Sequence, residues 1–243
     1  MTSYRYDLHI HSCLSPCADD DMTPANIAGM AHLNGLEIVA LTDHNSCKNC
    51  PAFFAACRKY GIVPVAGMEL TTAEEVHMVC LFPTLEQAMD FDKEIEKFLP
   101  PVSNRPEIFG NQLLMDADDI PAGTFGPLLI NATSLSLSDT VRLCGQFGGV
   151  CYPAHIDRES NGIIGVLGSL PEQPEFPTLE VNSGVDGDLK DICAGKLVLR
   201  SSDAHHLWDI SDGSSRIPLD DEPYSSGKVR ESLIDTIRRG AAE

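Results

Sequence analysis

Eight histidines occur in the 243 residues, and six of them fall at or just past short apolar runs that read as β-strands. His9 and His11 are two apart, so on an extended chain both side chains point to one face. His44 follows a second apolar run, in Thr42-Asp43-His44-Asn45. Glu69 closes a third, in Gly67-Met68-Glu69-Leu70, and His77 lies in a fourth. His155 follows Tyr152-Pro153-Ala154, and Asp203 and His205 follow a late run in Ser201-Ser202-Asp203-Ala204-His205-His206. Neutral imidazole and carboxylate are the donors that suit Zn²⁺, Mn²⁺ and Fe²⁺. A lone strand-end histidine is more often a hydrogen-bonded structural residue. Six of them, with Glu69 and Asp203 at matching positions, signal a metal site.

Such residues meet only if the strands converge. Tyr6 to His11 reads as a strand, and Thr23-Pro24 starts a helix, threonine as N-cap and proline at the first helical position, which Gly35 stops. Strands Leu36–Thr42, Ile62–Leu70 and Val76–Phe82 follow, with a helix at Pro51–Tyr60 between the first two. This βαβαβ rhythm predicts a parallel sheet or barrel, whose strand C-termini share one face. Leu85–Leu99 reads as an amphipathic helix that Pro100-Pro101 ends. Residues 100–136, where the pattern weakens, read as an insertion or cap. Ser138-Asp139 predicts the cap of a helix reaching Gln146. Strands at Val150–Pro153, Thr178–Asn182 and Lys196–Ser202 and a last helix at Gly227–Arg239 complete one domain spanning 1–243.

Acidic residues number 36 and basic residues 17, a formal charge of −19. There is no basic excess to neutralise phosphates or a membrane surface, although bound metal ions supply local positive charge that composition does not show. Apolar runs break far short of the roughly 20 residues of a membrane span, and the N-terminus lacks the apolar core of a signal peptide. Cytoplasmic localisation with no membrane partner is the expectation. Nine cysteines, an odd count, read as free thiols rather than a disulfide framework. Cys13-x₃-Cys17 and Cys47-x₂-Cys50 follow the first two strands, and a four-thiol zinc or Fe–S centre is the alternative to free thiols there. Cys57, Cys80, Cys144, Cys151 and Cys193 read as small core residues.

Asp7-Leu8-His9-Ile10-His11-Ser12, Leu41-Thr42-Asp43-His44, Gly67-Met68-Glu69, Val76-His77, Pro153-Ala154-His155 and Ser202-Asp203-Ala204-His205 together resemble the PHP (polymerase and histidinol phosphatase) family in order and spacing. The resemblance implies an α/β fold, a distorted (β/α)7 barrel with a small inserted segment. It implies about two to three divalent metal ions, Zn, Mn or Fe. His9, His11, Glu69 and Asp203 would hold one. Glu69 would bridge to a second, bound also by His77 and His155. His44 and His205 would hold a third, with a ligand from the loop after strand one. There Ser15-Pro16-Cys17-Ala18-Asp19-Asp20-Asp21 departs from the family's tract. Counting back from Thr23-Pro24 favours Asp19, with Asp20 and Cys17 as alternatives.

The implied chemistry is hydrolysis of phosphate esters by a metal-activated hydroxide, with Glu69, His205 and Arg158 in the catalytic set. Arg158, three residues past His155, is the candidate to grip the substrate phosphate, against a surface ion pair with neighbouring acids. Arg200, before the Ser-Asp-Ala-His tract, is the second phosphate candidate. Asp43 is expected to orient a ligand imidazole, and His206 to contact substrate or flank the metals. The negative charge favours a small phosphorylated substrate without strong duplex nucleic-acid binding. The rival readings are a nucleotide phosphatase or exonuclease on short oligonucleotides, and a noncatalytic metal-stabilised module.

Overall fold

The computed structural model describes residues 1–240. In chain order it builds β1 (Thr2–Asp7), α1 (Pro24–Leu33), β2 (Ile38–Leu41), α2 (Cys50–Tyr60), β3 (Val63–Thr71), β4 (His77–Phe82), α3 (Leu85–Ile95) and α4 (Pro106–Phe109). A hairpin follows, β5 (Leu113–Met115) and β6 (Pro121–Thr124), then α5 (Leu137–Gln146), β7 (Val150–Pro153) and α6 (Ile163–Leu167). The chain continues through β8 (Thr178–Val181), α7 (Leu189–Cys193), β9 (Leu197–Arg200) and β10 (Arg216–Leu219) to α8 (Ser226–Arg239).

Six strands pair in the order β10-β1-β2-β3-β4-β7, giving an α/β fold around a curled sheet. β8 and β9 form a separate parallel pair. They meet the sheet through isolated contacts: Ile156 N–H to Glu180 O at 2.9 Å and His11 N–H to Ala204 O at 3.0 Å, the latter at a parallel bridge between Ile10 and Ala204, and Leu8 N–H to Ser201 Oγ at 3.3 Å. Among the described residues, the ladder of named strands runs from β10 to β7 as a curled half-barrel sheet, with the β8–β9 pair between the ends of β7 and β1. The parallel rhythm also breaks once. β1, β2 and β3 are parallel, but β4 runs antiparallel to β3. Only Thr72 to Val76 join them, too short for a crossover. Gly67 lets these two strands close up, since a Cβ there would sit 2.4 Å from Cys80 O. The reversal places the start of β4, and His77 with it, at the end where β1, β2 and β3 finish.

The two faces of the sheet bury different clusters. Tyr6, Ile38, Ala40, Val63, Val65, Val79 and Leu81 share a core with Val229, Leu233, Ile234 and Ile237 of α8. Val39, Leu41, Ala66, Met68, Cys80 and Phe82 pack against α1, α2 and α3 through Ile27, Phe53, Cys57 and Phe91. Local signals act as expected at α1, where Thr23 Oγ1 accepts from Asn26 N–H at 3.3 Å, and at α2, which Gly61 ends at φ 70°. The cap of α5 is Ser136, not Ser138: its Oγ accepts from Asp139 N–H at 3.1 Å. The amphipathic α3 stops at Ile95 and gives way to a 3₁₀ turn, Glu96–Phe98.

Residues 100–136 contain α4 and the β5–β6 hairpin, docked on the loop after β1. Leu113 N–H donates to Cys13 O at 2.8 Å. The Asp119 carboxylate accepts from Thr23 Oγ1 at 2.7 Å and from Ala25 N–H at 3.0 Å. No described helix is long and apolar enough to cross a membrane.

Candidate metal centre

Glu69 is the hub. It leaves β3 with its side chain 1% exposed, and its two oxygens meet five imidazoles. His77 Nδ1 lies at 2.8 Å, His155 Nε2 at 3.0 Å and His44 Nδ1 at 3.1 Å. His11 Nε2 is at 3.3 Å and His9 Nε2 at 3.4 Å. Asp203 Oδ1 completes the group, 3.3 Å from His11 Nε2 and 3.4 Å from His9 Nε2. The donor atoms fall into overlapping sets compact enough for single ions: His9, His11, Glu69 and Asp203; His44, Glu69 and His77; His11, His44 and His205.

Hydrogen bonds behind the rings fix which nitrogen is presented. His9 Nδ1 lies 2.8 Å from Glu180 Oε1, so its N–H points there and Nε2 is bare. Ser15 Oγ donates to Asp43 Oδ1 at 2.8 Å. It therefore accepts from His11 Nδ1, 2.9 Å away, and His11 Nε2 is bare as well. The two Nε2 atoms stand 3.2 Å apart among carboxylate oxygens. With both rings neutral, their lone pairs converge with no donor between them, which a shared cation satisfies. His44 Nδ1, His77 Nδ1 and Asp203 Oδ1 are buried without hydrogen-bond partners, so these donors too fit a metal.

The electrostatics of the cluster carry the same message. Burial disfavours a charged His9, but Glu180, Glu69 and Asp203 outweigh it and hold its pKa well above the ordinary value. His11, burial again opposing, is pushed up to about 9 by hydrogen bonds to Asp203 and Glu69. Burial and then the neighbouring His11 lower His44, and bring His205 down to about 4. Glu69 and Asp203 are lowered in spite of burial, Glu69 chiefly by His77 and His9, Asp203 chiefly by His9 and His11. The carboxylates that raise His9 and His11 thus favour a positive charge at this point, a proton or a metal ion alike.

Backbone strain accompanies the ligands. His155 sits at φ 28° and Asp203 at φ 53°, a region that side chains adopt at a cost of order 1 kcal/mol. Strain at such positions belongs to sites where side-chain placement outweighs local comfort.

The cluster opens into a cavity of about 310 Å³ lined by Cys17, His44, Glu69, His77, Ile130, Arg158, Asn161, Asp203 and His205. Arg158, half exposed, pairs its Nη1 with Asp203 Oδ2 at the rim. Ile130 comes from the 100–136 segment. Arg200 is not brought here. It lines a separate depression with Asp209 and Asp212. Asp19 is half exposed and binds His206 Nδ1 at 2.7 Å, outside the compact donor sets. Asp20 instead accepts from Asn111 Nδ2 at 2.8 Å, whereas Cys17 lines the cavity. Asp43 acts on His11 only through Ser15, and also accepts from Ser12 N–H at 2.6 Å. The four loop cysteines do not gather. Cys47 and Cys50 both approach Gly67 O, at 3.2 and 3.7 Å, and Cys13 packs with Ala52 and Met115.

Glu180 and Ser15 are the functional neighbours that sequence reasoning missed. Glu180 had a signal: an acid inside the apolar strand Thr178-Leu179-Glu180-Val181, 0% exposed, requires a buried partner.

Residues 7–118 match the family model of the PHP domain. Over 80 residues the chain is 31% identical to a 5′-3′ exoribonuclease of Haemophilus influenzae, covering 32% of this chain and 28% of that protein. The fold resembles a lesion-specific endonuclease, PfuEndoQ, from Pyrococcus furiosus, with TM-score 0.68 and 19% identity over 99% of this chain and 56% of that one. It also resembles Endonuclease Q in complex with a 27-mer duplex substrate with an abasic lesion at the active site, with TM-score 0.65 and 20% identity over 96% of this chain and 56% of that one. The chain therefore spans about half or less of the length of these proteins. The duplex complex overturns the expectation of a small phosphorylated substrate without duplex nucleic-acid binding. A protein of this fold holds a duplex. The expectation failed because net charge is a sum over the whole surface, whereas binding depends on the local field.

Proposed function

The chain carries a PHP domain, matched over residues 7–118, and from that premise we propose that it is a metal-dependent hydrolase of phosphate esters. The observation that carries the reading is the convergence of bare imidazole nitrogens and carboxylate oxygens around Glu69. His9, His11, Glu69 and Asp203 would hold one divalent ion, Glu69, His77 and His155 a second, and His44 and His205 a third. Zn, Mn and Fe all suit these donors. When bound, such ions supply an activated water and neutralise charge on the phosphoryl oxygens. Glu180 fixes the His9 tautomer and ring orientation. His205, lowered to about 4, is neutral at pH 7 and offers a lone pair. Arg158 lines the cavity rim and grips a phosphate oxygen pair through its planar fork. The 100–136 segment caps the pocket through Ile130.

Nucleotides or nucleic-acid ends are the substrate range favoured by one further observation. Trp208, the single tryptophan, is 75% exposed three residues after His205. Its ring stacks on His206 with centroids 4.7 Å apart and planes 5° from parallel. An exposed aromatic stack that directly follows the ligand His205 in the chain is a surface on which a base stacks. The noncatalytic-module reading loses support because nearly all of the expected donors converge.

The test is to strip the protein, reload it with Mn²⁺, Zn²⁺ or Fe²⁺, and assay phosphomonoesters, nucleotides and short oligonucleotides. Hydrolysis that Glu69→Ala abolishes together with metal binding is expected. Full metal loading without turnover on any of these substrates would sink the proposal.

A further inference from the structure

Three cysteines from three separate elements converge away from the histidine centre. Cys80 of β4 and Cys151 of β7 are direct partners in the antiparallel register. Cys144 is one of the buried residues of α5. Their Sγ atoms all lie within 4.8 Å of one another, and all three are free thiols. In the β3–β4 pairing Glu69 faces Val79 and Met68 faces Cys80, so Cys80 and Glu69 project from opposite faces of the sheet. The thiols therefore stand behind the histidine centre, outside its donor set.

Cysteines that serve only as small core residues pack their sulfur against carbon. Cys80 and Cys144 belong to the apolar core, with Cys151 packed on it, but their sulfurs also lie against one another. Gly149, directly before β7, has no Cβ; one built there would lie 2.8 Å from Cys144 Sγ and 2.5 Å from Phe82 Cε1. Cys80 Sγ has a single long contact to oxygen, Met78 O at 3.8 Å. Cys151 is only partly buried and lines a cavity of about 220 Å³ with Val141, Gly145, Thr178 and Arg238. That cavity brings solvent to Cys151, while Cys80 and Cys144 lie fully buried behind it.

We propose that Cys80, Cys144 and Cys151 form a second metal site, for a thiophilic d¹⁰ cation of the Cu⁺ or Zn²⁺ type. Soft thiolates select such ions, whereas the imidazole and carboxylate centre takes harder divalent ones. Three sulfurs serve Cu⁺ directly. For Zn²⁺, whose sites are tetrahedral, a water from the cavity takes the fourth position. Binding exchanges thiol protons for the metal, the protons passing to buffer, and involves no change of oxidation state. The bound ion ties β4, β7 and α5 together at the back of the strands that carry His77 and lead to His155.

The test uses the full chain with its histidine centre loaded with Mn²⁺, titrated without oxygen with Cu⁺ and, separately, with Cd²⁺ as the optical surrogate for Zn²⁺. Sulfur-to-metal charge-transfer absorption reports thiolate ligation and is silent for nitrogen and oxygen donors. About one equivalent is expected to saturate the band. Cys151→Ser and Cys144→Ala should each abolish it, with Mn content unchanged, and Cys47→Ser should leave it intact. Saturation by Cu⁺ alone assigns the site to copper, and saturation by both assigns it to the zinc type. Absence of the band with both ions, or its persistence in Cys151→Ser, overturns the proposal. Circular dichroism identifies which variants fold, and Cys80→Ala replaces either one that does not.

Discussion

Arg158 has two claims on its guanidinium. It pairs with Asp203 Oδ2, whereas the oxygen facing His9 and His11 is Oδ1. Its guanidinium also lines the pocket, where a planar fork can bind two phosphate oxygens at once. A lysine keeps the charge but not the paired donors. Arg158→Lys should leave metal content unchanged and lower kcat/KM by about 10- to 1,000-fold, roughly 1.4–4 kcal/mol of transition-state stabilisation; steady-state kinetics within twofold of wild type would return Arg158 to an ion-pair role. The residue scale was the most legible one, because ligand chemistry is written in residue type and strand-end position. His9, Glu69 and Asp203 could be picked from spacing alone. Glu180 could not be assigned, because its partner is 171 positions away. Arg200 misled by adjacency in sequence: it precedes the Ser-Asp-Ala-His tract but lines a different depression.

The β5–β6 hairpin is held at its turn. Asp119, at φ 63°, accepts hydrogen bonds from Thr23 Oγ1 and Ala25 N–H, so it satisfies a free N–H in the first turn of α1 while Thr23 caps the helix. Asp119→Ala should cost about 1 kcal/mol in denaturant unfolding and make the hairpin more sensitive to limited proteolysis. Unchanged stability and digestion would show that the turn docks without this carboxylate. Elements with a strong local signature, such as α1 behind Thr23-Pro24 and α2 before Gly61, were readable from sequence. The reversal of β4 was not, because its apolar residues fit either direction and only the short turn decides. β10 escaped notice as well. Its four residues, Arg216–Leu219, include a proline and carry little apolar alternation, and pairing with β1 makes them a strand.

Across the whole molecule, protonation and metal binding pull stability in opposite directions. His9 and His11 have raised pKa values in the metal-free protein, so their charged forms stabilise it. For His11 this contribution is complete below the ordinary 6.5 and is lost as pH rises through about 9. Metal loading requires the same rings to be neutral, so it releases protons and strengthens over the same range. Thermal melts from pH 6.5 to about 9 should show the stripped protein weakening while the gap to the loaded protein widens. A gap independent of pH would remove His9 and His11 from the ligand set. The charge of −19 was legible, but it gave the wrong expectation for nucleic acid because it carries no information about where on the surface charge gathers. The curled sheet was legible as a class. The half-barrel form was not, since it depends on which strands fail to join the ladder.

The left-handed backbone at His155 and Asp203 implies a trade between folding and catalysis. A site assembled this way is a place where the chain is worse at folding than it needs to be, and where glycine would relieve it. His77 lies in regular strand and holds no such reserve. In stripped protein, His155→Gly should therefore lose less melting temperature than His77→Gly, although both forfeit a ligand to the metals. Directed selection for thermal resistance alone would be expected to erode the site first at residues 155 and 203.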